Sequence, residues 1–219
     1  DELGGTVTEA RYGQTGGRIT VTNAPAETPE EPEAADWADV DADAWYAEAV
    51  HYVIENGIMG STSTEAKVFT PNGMVTRATV FQTLYNAQGK PEVGDNLGYP
   101  YADVDANAYY ALPVYWARAN GLVTGYNDET FAPNDTVTRE QAAVLLYRLA
   151  NHLGMDTSAR ANLSSYTDAA QVSAYAQEAM QWAVASGLLN GRTATTLAPQ
   201  GSATRAEGAK LLSSFTALT

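Results

Sequence analysis

The chain has 219 residues, a formal net charge of −14 and a hydrophobic content of 45%, so it can form a real core but offers few cations. A chain this acidic is not expected to track a nucleic-acid backbone, and with only three lysines it is not expected to bind anionic lipid electrostatically. No apolar run approaches the length of a bilayer span. The absence of cysteine excludes disulfides, thiolate zinc sites and cysteine nucleophiles.

Residues 1–35 differ in character from the rest of the chain. Two β-prone runs, 6–12 and 18–22, flank a glycine-rich segment and predict a β-hairpin. A linker rich in proline and glutamate follows over 24–35. We therefore expect a domain boundary near residue 35. The start at Asp1, without an initiator methionine, suggests a fragment or a processed chain.

From residue 36 onward one pattern occurs three times, and such repetition predicts a repeat architecture. Each copy has an aromatic-led opening with an aspartate, a helical run, a glycine-bearing loop, and a Thr-Arg pair that begins a second helical run. We expect three helix–loop–helix repeats, at 36–92 (repeat 1), 99–154 (repeat 2) and 163–219 (repeat 3). One such unit cannot bury both of its apolar faces, so the three are expected to pack into a mainly α-helical bundle.

The first helix of each repeat is predicted from its two ends. Asp43, Asn107 and Ser173 occupy aligned positions and are residue types preferred at helix N-caps. Each helical pattern then ends at a glycine, which is expected in the left-handed conformation just after the helix. These glycines are Gly57, Gly121 and Gly187. Pro113 lies too far from Asn107 for a first-turn proline, so its helix is expected to be kinked or to begin late.

A threonine followed by an arginine begins each second helix. The threonines are expected to be N-caps, and Gln141 and Glu207 complete the sequence signature of a capping box. The pairs are Thr76 with Arg77, Thr138 with Arg139, and Thr204 with Arg205. A cation in the first helical turn opposes the helix dipole, at a cost of about 0.3–1 kcal/mol if it is exposed. The arginines therefore need another explanation.

These residues resemble the S-layer homology (SLH) domain, as three tandem modules over about residues 36–219. The resemblance rests on aligned aspartates, on glycine turns and on the Thr-Arg-Ala-Glu sequence at 204–207. The matching residues are Asp39-Val40, Asp103-Val104, Asp168, Trp45-Tyr46, and the turns that begin at Gly57, Gly121 and Gly187. The family implies a pseudo-threefold helical bundle whose grooves bind secondary cell-wall polysaccharide, often through a pyruvylated amino sugar, and so anchor a protein to the bacterial surface.

The three modules depart from the family pattern in different ways. Only repeat 3 has the complete Thr-Arg-Ala-Glu sequence, whereas the loop between Gly57 and Phe69 in repeat 1 is two residues longer than its counterparts. Repeat 3 has Leu197 where the others have phenylalanine. One or two of the three grooves are therefore expected to be altered or silent.

Two explanations of the arginines stay open from the residues alone. An anion at the helix terminus could be held by free backbone N–H groups and the guanidinium together, as the carboxylate of a pyruvyl ketal would be. Alternatively, each arginine pairs with an aspartate of its own or a neighbouring repeat. The resemblance favours binding, and both can hold if the aspartate positions the arginine. The candidate aspartates are Asp39, Asp103 and Asp168.

The predicted ligand-binding set combines the Thr-Arg pairs with these aspartates and with loop residues. Tyr126, which follows a loop glycine, is the expected groove aromatic. Trp45, Trp116 and Trp182 lie at helical spacing and are expected in the core. The loop glycines are Gly60, Gly125 and Gly191.

Metal binding and catalysis are not predicted. The Asp39-x-Asp41-x-Asp43 pattern lacks the glycine and glutamate of a calcium loop, and turn formation accounts for it. The two histidines, His51 and His152, have no nucleophile motif near them, and carboxylates for glycoside hydrolysis have no fixed spacing. No cofactor is expected.

We therefore predict a non-catalytic module, extracellular at the bacterial cell wall, that binds cell-wall polysaccharide without nucleic acid or membrane insertion. It is expected to be a monomer with internal pseudo-threefold symmetry. The alternative is a protein–protein assembly domain of a surface layer, which would change size with concentration rather than compete with a pyruvylated sugar. A carbohydrate-active enzyme would instead have to turn over wall glycans.

Overall fold

The computed structural model describes residues 37–93, 101–127 and 129–219. The hairpin and linker predicted over residues 1–35 lie outside the described residues. The described ranges fall within one compact unit that spans residues 34–219. Among these ranges, none of the helices has both the length and the apolar character of a membrane span.

Each repeat contains two α-helices within the described ranges. They are α1 (Ala47–Glu55) and α2 (Arg77–Ala87), α3 (Ala111–Ala119) and α4 (Arg139–His152), and α5 (Gln177–Ala185) and α6 (Arg205–Thr216). Short 3₁₀ turns precede α5, at Leu163–Ser165, Ala169–Gln171 and Ala174–Ala176. Strand-like pairing in these ranges is limited to isolated antiparallel bridges. The predicted mainly α-helical fold of three helix–loop–helix repeats is confirmed.

The first helices begin later than their sequence signals predict. Asp43 and Asn107 lie in turns ahead of α1 and α3, and Ser173 precedes a 3₁₀ turn ahead of α5. The prediction that these three cap the helices is therefore wrong. In repeats 1 and 2 the reason is an extra turn, because the side chains of Asp41 and Asp105 accept the backbone N–H groups of residues 43 and 107.

The late start of α3 accommodates Pro113. This helix begins at Ala111, so the proline lies in the first turn, where a missing N–H removes no intrahelical hydrogen bond. The late start predicted from Pro113 is confirmed. At the other ends of the first helices, the left-handed glycines are confirmed as well, with φ of +64°, +69° and +70° at Gly57, Gly121 and Gly187.

The second helices begin where their sequence predicts. The hydroxyl of each N-cap threonine accepts the backbone N–H of the third residue after it, and the three caps are Thr76, Thr138 and Thr204. The capping boxes with Gln141 and Glu207 are complete. Local sequence therefore determines where α2, α4 and α6 begin.

The helices pair between repeats in a cyclic order. The first helix of one repeat packs on the second helix of the preceding one, so α3 lies on α2 and α5 lies on α4. The cycle closes where α1, the first helix of the bundle, packs on α6, the last. Trp116 on α3 contacts Tyr85 on α2, and Trp182 on α5 contacts Tyr147 on α4. The predicted core positions of Trp116 and Trp182 are confirmed.

A ring of backbone hydrogen bonds joins the repeats at the centre. The N–H of Val75 donates to the carbonyl of Ala203 (3.0 Å), that of Ala203 to Val137 (2.8 Å), and that of Val137 back to Val75 (3.0 Å). All three side chains are buried. Beside the ring, α2, α4 and α6 surround an apolar cavity of about 40 Å³. The three repeats therefore share one core.

Candidate ligand-binding grooves

Each Thr-Arg arginine is buried between two repeats, with 7%, 5% and 9% of Arg77, Arg139 and Arg205 exposed. Its Nε donates to a backbone carbonyl of the next repeat in the cycle. These bonds run from Arg77 to Phe131 (2.7 Å), from Arg139 to Leu197 (2.9 Å) and from Arg205 to Phe69 (2.6 Å). The guanidinium groups of Arg77 and Arg205 also lie 4.6 Å from the ring centroids of Phe131 and Phe69. The arginines thus connect the repeats.

The backbone amides that an anion would need are already bonded. At the start of α2, the N–H of Arg77 donates to the carbonyl of Asp135, and that of Ala78 donates to Pro133. The N–H of Thr79 donates to the Thr76 hydroxyl. The same arrangement occurs at α4 and α6. The expectation of free N–H groups beside the guanidinium is therefore wrong, because a neighbouring repeat supplies their acceptors.

The three aspartates at aligned positions of the repeats hold the turns whose carbonyls the arginines bind. Asp103 accepts the backbone N–H groups of Phe131 (2.8 Å) and Ala132 (2.7 Å), and Ala132 has a φ of +56°. Asp39 and Asp168 bond the equivalent turns in the same way. Among the described residues, no arginine forms an ion pair with these aspartates. Each aspartate thus positions an arginine indirectly, through the turn whose carbonyl that arginine binds.

Burial and local hydrogen bonds shift the pKa values of these arginines and of Asp168. Burial lowers the pKa of Arg77, Arg139 and Arg205 from their usual value, and for Arg139 the nearby Glu207 acts in the opposite direction. For Asp168, burial raises the pKa, but the backbone amides of Leu197 and Ala198 outweigh it, and the pKa is lowered. The Asp168 carboxylate is therefore stabilised in its charged form by the turn that it holds.

The first groove, which we call the Arg139 groove, has a volume of about 400 Å³. Arg139 donates to the Glu207 carboxylate (2.7 Å) and to the carbonyl of Asn190 (2.6 Å), and Arg192 also bonds Glu207. Both arginines share the Glu207 carboxylate, but the Arg139 side chain is 6% exposed and that of Arg192 is 38% exposed, so Arg192 and Lys210 are the cations that a ligand can reach. The lining residues are Arg139, Leu188–Arg192, Glu207, Lys210, Leu211 and, from repeat 1, Trp45.

The second groove, which we call the Arg77 groove, has a volume of about 290 Å³. The Arg77 guanidinium lies 4.7 Å from the centroid of the Tyr126 ring, and Arg148 provides a second cation. Gln141 stands at the position that Glu207 has in the Arg139 groove, so no carboxylate lines this groove among the described residues. The charge of Arg77 is compensated from outside the lining, where Asp135 and Asp103 act on it. The other lining residues are Val123–Tyr126, Val137, Val144, Leu145 and, from repeat 3, Tyr175.

The two grooves follow one plan. One repeat supplies the arginine, the next supplies a glycine loop and its second helix, and the third supplies an exposed aromatic. At the corresponding place around Arg205, the guanidinium donates to the carbonyl of Gly60 in repeat 1 (2.7 Å), and the exposed aromatic of repeat 2 is Tyr109. There α2 carries Gln82 and Asn86 where the other grooves have Lys210 and Arg148. The three places thus differ in charge.

The predicted site residues separate into groove residues and residues behind the grooves. Arg77, Arg139, Gly125, Gly191 and Tyr126 line the two grooves. A Cβ on Gly125 would lie 2.5 Å from the ring of Tyr101, and one on Gly191 would lie 2.8 Å from that of Tyr166, so both loops need glycine. The remaining members cap helices, hold turns or bond an arginine, and they are Thr76, Thr138, Thr204, Asp39, Asp103, Asp168, Arg205 and Gly60.

Sequence reasoning missed several groove residues. Trp45 is 64% exposed, so its predicted place in the core is wrong, because α1 begins only at Ala47 and leaves this side chain in a surface turn. Tyr175 and the cations Arg148, Arg192 and Lys210 were also not predicted. The aligned aromatic that precedes each first helix was the available signal. No such signal marked the three cations, since they occupy positions that do not align between the repeats.

Comparison with known proteins agrees with this architecture. A model of the S-layer homology domain family matches residues 38–81, 100–143 and 165–209. The chain is 31% identical over 179 residues to an endoglucanase of Bacillus sp. strain KSM-635. The aligned region covers 82% of this chain and 18% of that protein.

Two further relatives carry surface-related names. The chain is 29% identical to a surface-layer 125 kDa protein of Lysinibacillus sphaericus, over 76% of this chain and 14% of that protein. It is 27% identical to a cellulosome-anchoring protein of Acetivibrio thermocellus, over 66% of this chain and 32% of that protein. The chain thus spans a minor part of each relative. Because the three matched segments cover more than half of the chain, it belongs to the S-layer homology domain family.

Proposed function

We propose that these three SLH domains anchor the protein that carries them to the bacterial cell wall by binding secondary cell-wall polysaccharide. Acidic groups of the polymer, such as a pyruvyl ketal on an amino sugar, would be recognised in the Arg139 and Arg77 grooves. The domains act at the cell surface as a non-catalytic module. The surface-layer and cellulosome-anchoring relatives support anchoring, whereas the endoglucanase is matched over 18% of its length and gives no reason to assign its activity to this chain.

The observation that carries the proposal is the meeting of cations and exposed aromatics in a strongly acidic protein. Against a net charge of −14, the lining of the Arg139 groove has three cations and one carboxylate, Glu207. The lining of the Arg77 groove has two cations, Arg77 and Arg148, and no carboxylate among the described residues. A carboxylate would bind these cations, and the apolar face of a sugar ring would pack on Trp45 or Tyr126. Recognition of an acidic sugar needs both features.

The three places are not expected to contribute equally. On α2, Gln82 and Asn86 stand where the other grooves have Lys210 and Arg148, so we propose that binding is carried by the Arg139 and Arg77 grooves. Two weak sites on one rigid monomer can engage the same repetitive polymer at once. The second contact then benefits from a high effective concentration, and anchoring becomes stronger than either groove alone provides.

The buried arginines are poor targets for a binding test because they also connect the repeats. The test should instead use Lys210→Gln with Arg192→Gln in one groove and Arg148→Gln in the other. Wall sacculi with and without their secondary polysaccharide would be sedimented with each protein. Lys67→Gln with Lys90→Gln is the matched control, since these exposed lysines line neither groove.

We expect polymer-dependent binding by the native protein and the control. Each groove variant should bind about tenfold more weakly, because it loses charge-assisted hydrogen bonds. Binding that is unaffected in the triple variant Arg148→Gln/Arg192→Gln/Lys210→Gln would refute these grooves as the site. Failure of the native protein to bind polymer would favour the assembly alternative, which predicts concentration-dependent size in analytical ultracentrifugation.

A further inference from the structure

A buried carboxylate outside the groove linings distinguishes repeat 2 from the others. Glu140 follows Arg139 in α4 and is 1% exposed, while Ala78 and Ala206 occupy the equivalent positions. A buried carboxylate is costly unless hydrogen bonds replace its water. The hydrogen bonds of Glu140 therefore show which part of the protein this carboxylate fixes.

Glu140 binds the segment that opens repeat 3. Its carboxylate accepts the N–H of Ser173 (2.9 Å), the hydroxyl of Ser173 (2.7 Å) and the hydroxyl of Tyr175 (2.9 Å). Gln200 donates to the same serine hydroxyl (3.2 Å). The carboxylate also lies in the first turn of α4, where the helix dipole favours negative charge. It is thus bonded on both oxygens and clamps residues 173–175 in place.

This clamp replaces a contact that repeat 3 lacks. In repeats 1 and 2 the exposed groove aromatic packs edge-on against the ring that follows it, with centroids 5.4 Å apart for Trp45 and Tyr46. The equivalent rings in repeat 2 are 5.1 Å apart. In repeat 3 the following residue is Ala176, which has no ring. Tyr175, 61% exposed, is held at its far end instead, through its hydroxyl.

The place of Tyr175 gives this clamp a functional consequence. The ring borders the Arg77 groove and also a neighbouring cavity of about 580 Å³ between α4 and α5. We propose that Glu140 is a positioning residue that fixes Tyr175 as a wall of the Arg77 groove and thereby sets the affinity of this groove for an acidic sugar. The proposal rests on the ligand-binding function proposed above.

The protonation state of the phenol agrees with this role. Burial, the hydrogen bond to Glu140 and the charge of Glu140 together raise the pKa of Tyr175 to about 12. The hydroxyl therefore remains a donor at neutral pH. Its titration also reports on the clamp without any ligand.

The test compares variants that release the ring by different routes. Tyr175→Phe keeps the ring and removes the hydroxyl, and Glu140→Ala restores the residue of the other repeats. Glu140→Ala/Ala176→Tyr then supplies the missing neighbouring ring. Tyr52→Phe is the control, since its hydroxyl lies on α1 and lines neither groove. Calorimetry would measure binding of a pyruvylated N-acetylhexosamine in an Arg192→Gln/Lys210→Gln background, so that the Arg77 groove dominates.

We expect Tyr175→Phe and Glu140→Ala each to weaken binding by about three- to tenfold, because both remove the hydrogen bond between Tyr175 and Glu140, with no further loss when they are combined. Adding Ala176→Tyr to Glu140→Ala should recover part of the affinity. In Glu140→Gln, the most alkaline step of the tyrosine absorbance titration, which we assign to Tyr175, should move toward the usual tyrosine pKa of about 10.

Separate outcomes would overturn the inference and the function on which it rests. If the background protein binds the sugar and Tyr175→Phe binds it equally well, the positioning role is wrong although the function stands. An alkaline titration unchanged in Glu140→Gln would likewise refute the clamp. If the sugar does not bind even to the native protein, the proposed function itself fails.

Discussion

At the residue scale, the arginine of each Thr-Arg pair needs its planar, multiply bonding head group. The guanidinium of Arg205 donates through Nε to Phe69, through a terminal nitrogen to Gly60, and stacks on the Phe69 ring. A lysine could reach one carbonyl but could not match this geometry. The helix-dipole penalty of a first-turn cation is offset by these contacts with another repeat.

Arg205→Lys should therefore lower the free energy of unfolding by about 1–3 kcal/mol, because a buried hydrogen bond and a stacking contact are lost while the charge is kept. Urea denaturation followed by circular dichroism would measure it. Lys67→Arg, the reverse exchange at an exposed position, is the control and should change stability little. Equal stability of the two variants would contradict the connecting role.

Two glycines of repeat 3 should respond oppositely to alanine. Gly208 is inside α6, where a Cβ would meet Val75 at an ordinary 3.8 Å, and repeat 2 already has Ala142 at the equivalent position. Gly187 has open space around it but a φ of +70°. We expect Gly208→Ala to raise stability by about 0.5–1 kcal/mol and Gly187→Ala to lower it by about 1 kcal/mol. Denaturation midpoints that shift in the same direction would refute this.

At the element scale, the turn before each second helix joins a repeat to its neighbour. Its two N–H groups bind the aspartate of its own repeat, and its carbonyl binds the arginine of the adjacent one. In repeat 3 these groups belong to Asp168, Leu197 and Arg139. The left-handed residue in the turn, Ala198 with a φ of +50°, is strained for a residue with a side chain. The aspartate stabilises this conformation.

Asp168→Asn should destabilise the protein at pH 7 by about 1–2 kcal/mol, because charge-assisted hydrogen bonds to two amides are weakened. The pKa of Asp168 is lowered in the folded state, so its stabilisation is fully present above the unfolded value of about 3.9 and is lost as the pH falls from there through the lower folded pKa. Native and variant stabilities, measured by urea denaturation from pH 7 to 3, should converge in acid. Glu55→Gln, which changes an exposed carboxylate on α1, is the control; a constant difference across the range would contradict the prediction.

At the scale of the whole molecule, the repeats form a closed cycle rather than a row. The helix pairs close when α1 meets α6, and the ring of bonds through Val75, Val137 and Ala203 passes once through every repeat. In a row of repeats, an end can fray without disturbing the other end. In a cycle, opening one junction weakens all three.

Hydrogen exchange can test this cooperativity. The amides of Val75, Val137 and Ala203 should exchange with the same free energy, since each requires the ring to open. Arg205→Lys, although it changes only the junction of repeats 3 and 1, should reduce protection at all three by the same amount. Protection that falls at the first and third positions and persists at Val137 would show that the repeats open separately.

Sequence alone determined the local features of this protein. The second helices begin at Thr76, Thr138 and Thr204, and the first helices end before left-handed glycines, because capping and positive φ depend on residues within a few positions of each other. The threefold repetition was likewise visible without structure, and the family match agrees with it.

Tertiary structure alone decided which groups meet between repeats. The carbonyls that Arg139 binds, the acceptors of the first two amides of each second helix and the partners of Glu140 all come from another repeat. Spacing along the chain carries no information about such contacts, since a turn 54 or 58 residues away supplies the partner. The grooves form at these junctions, so their lining residues could be identified only from the packing of the helices.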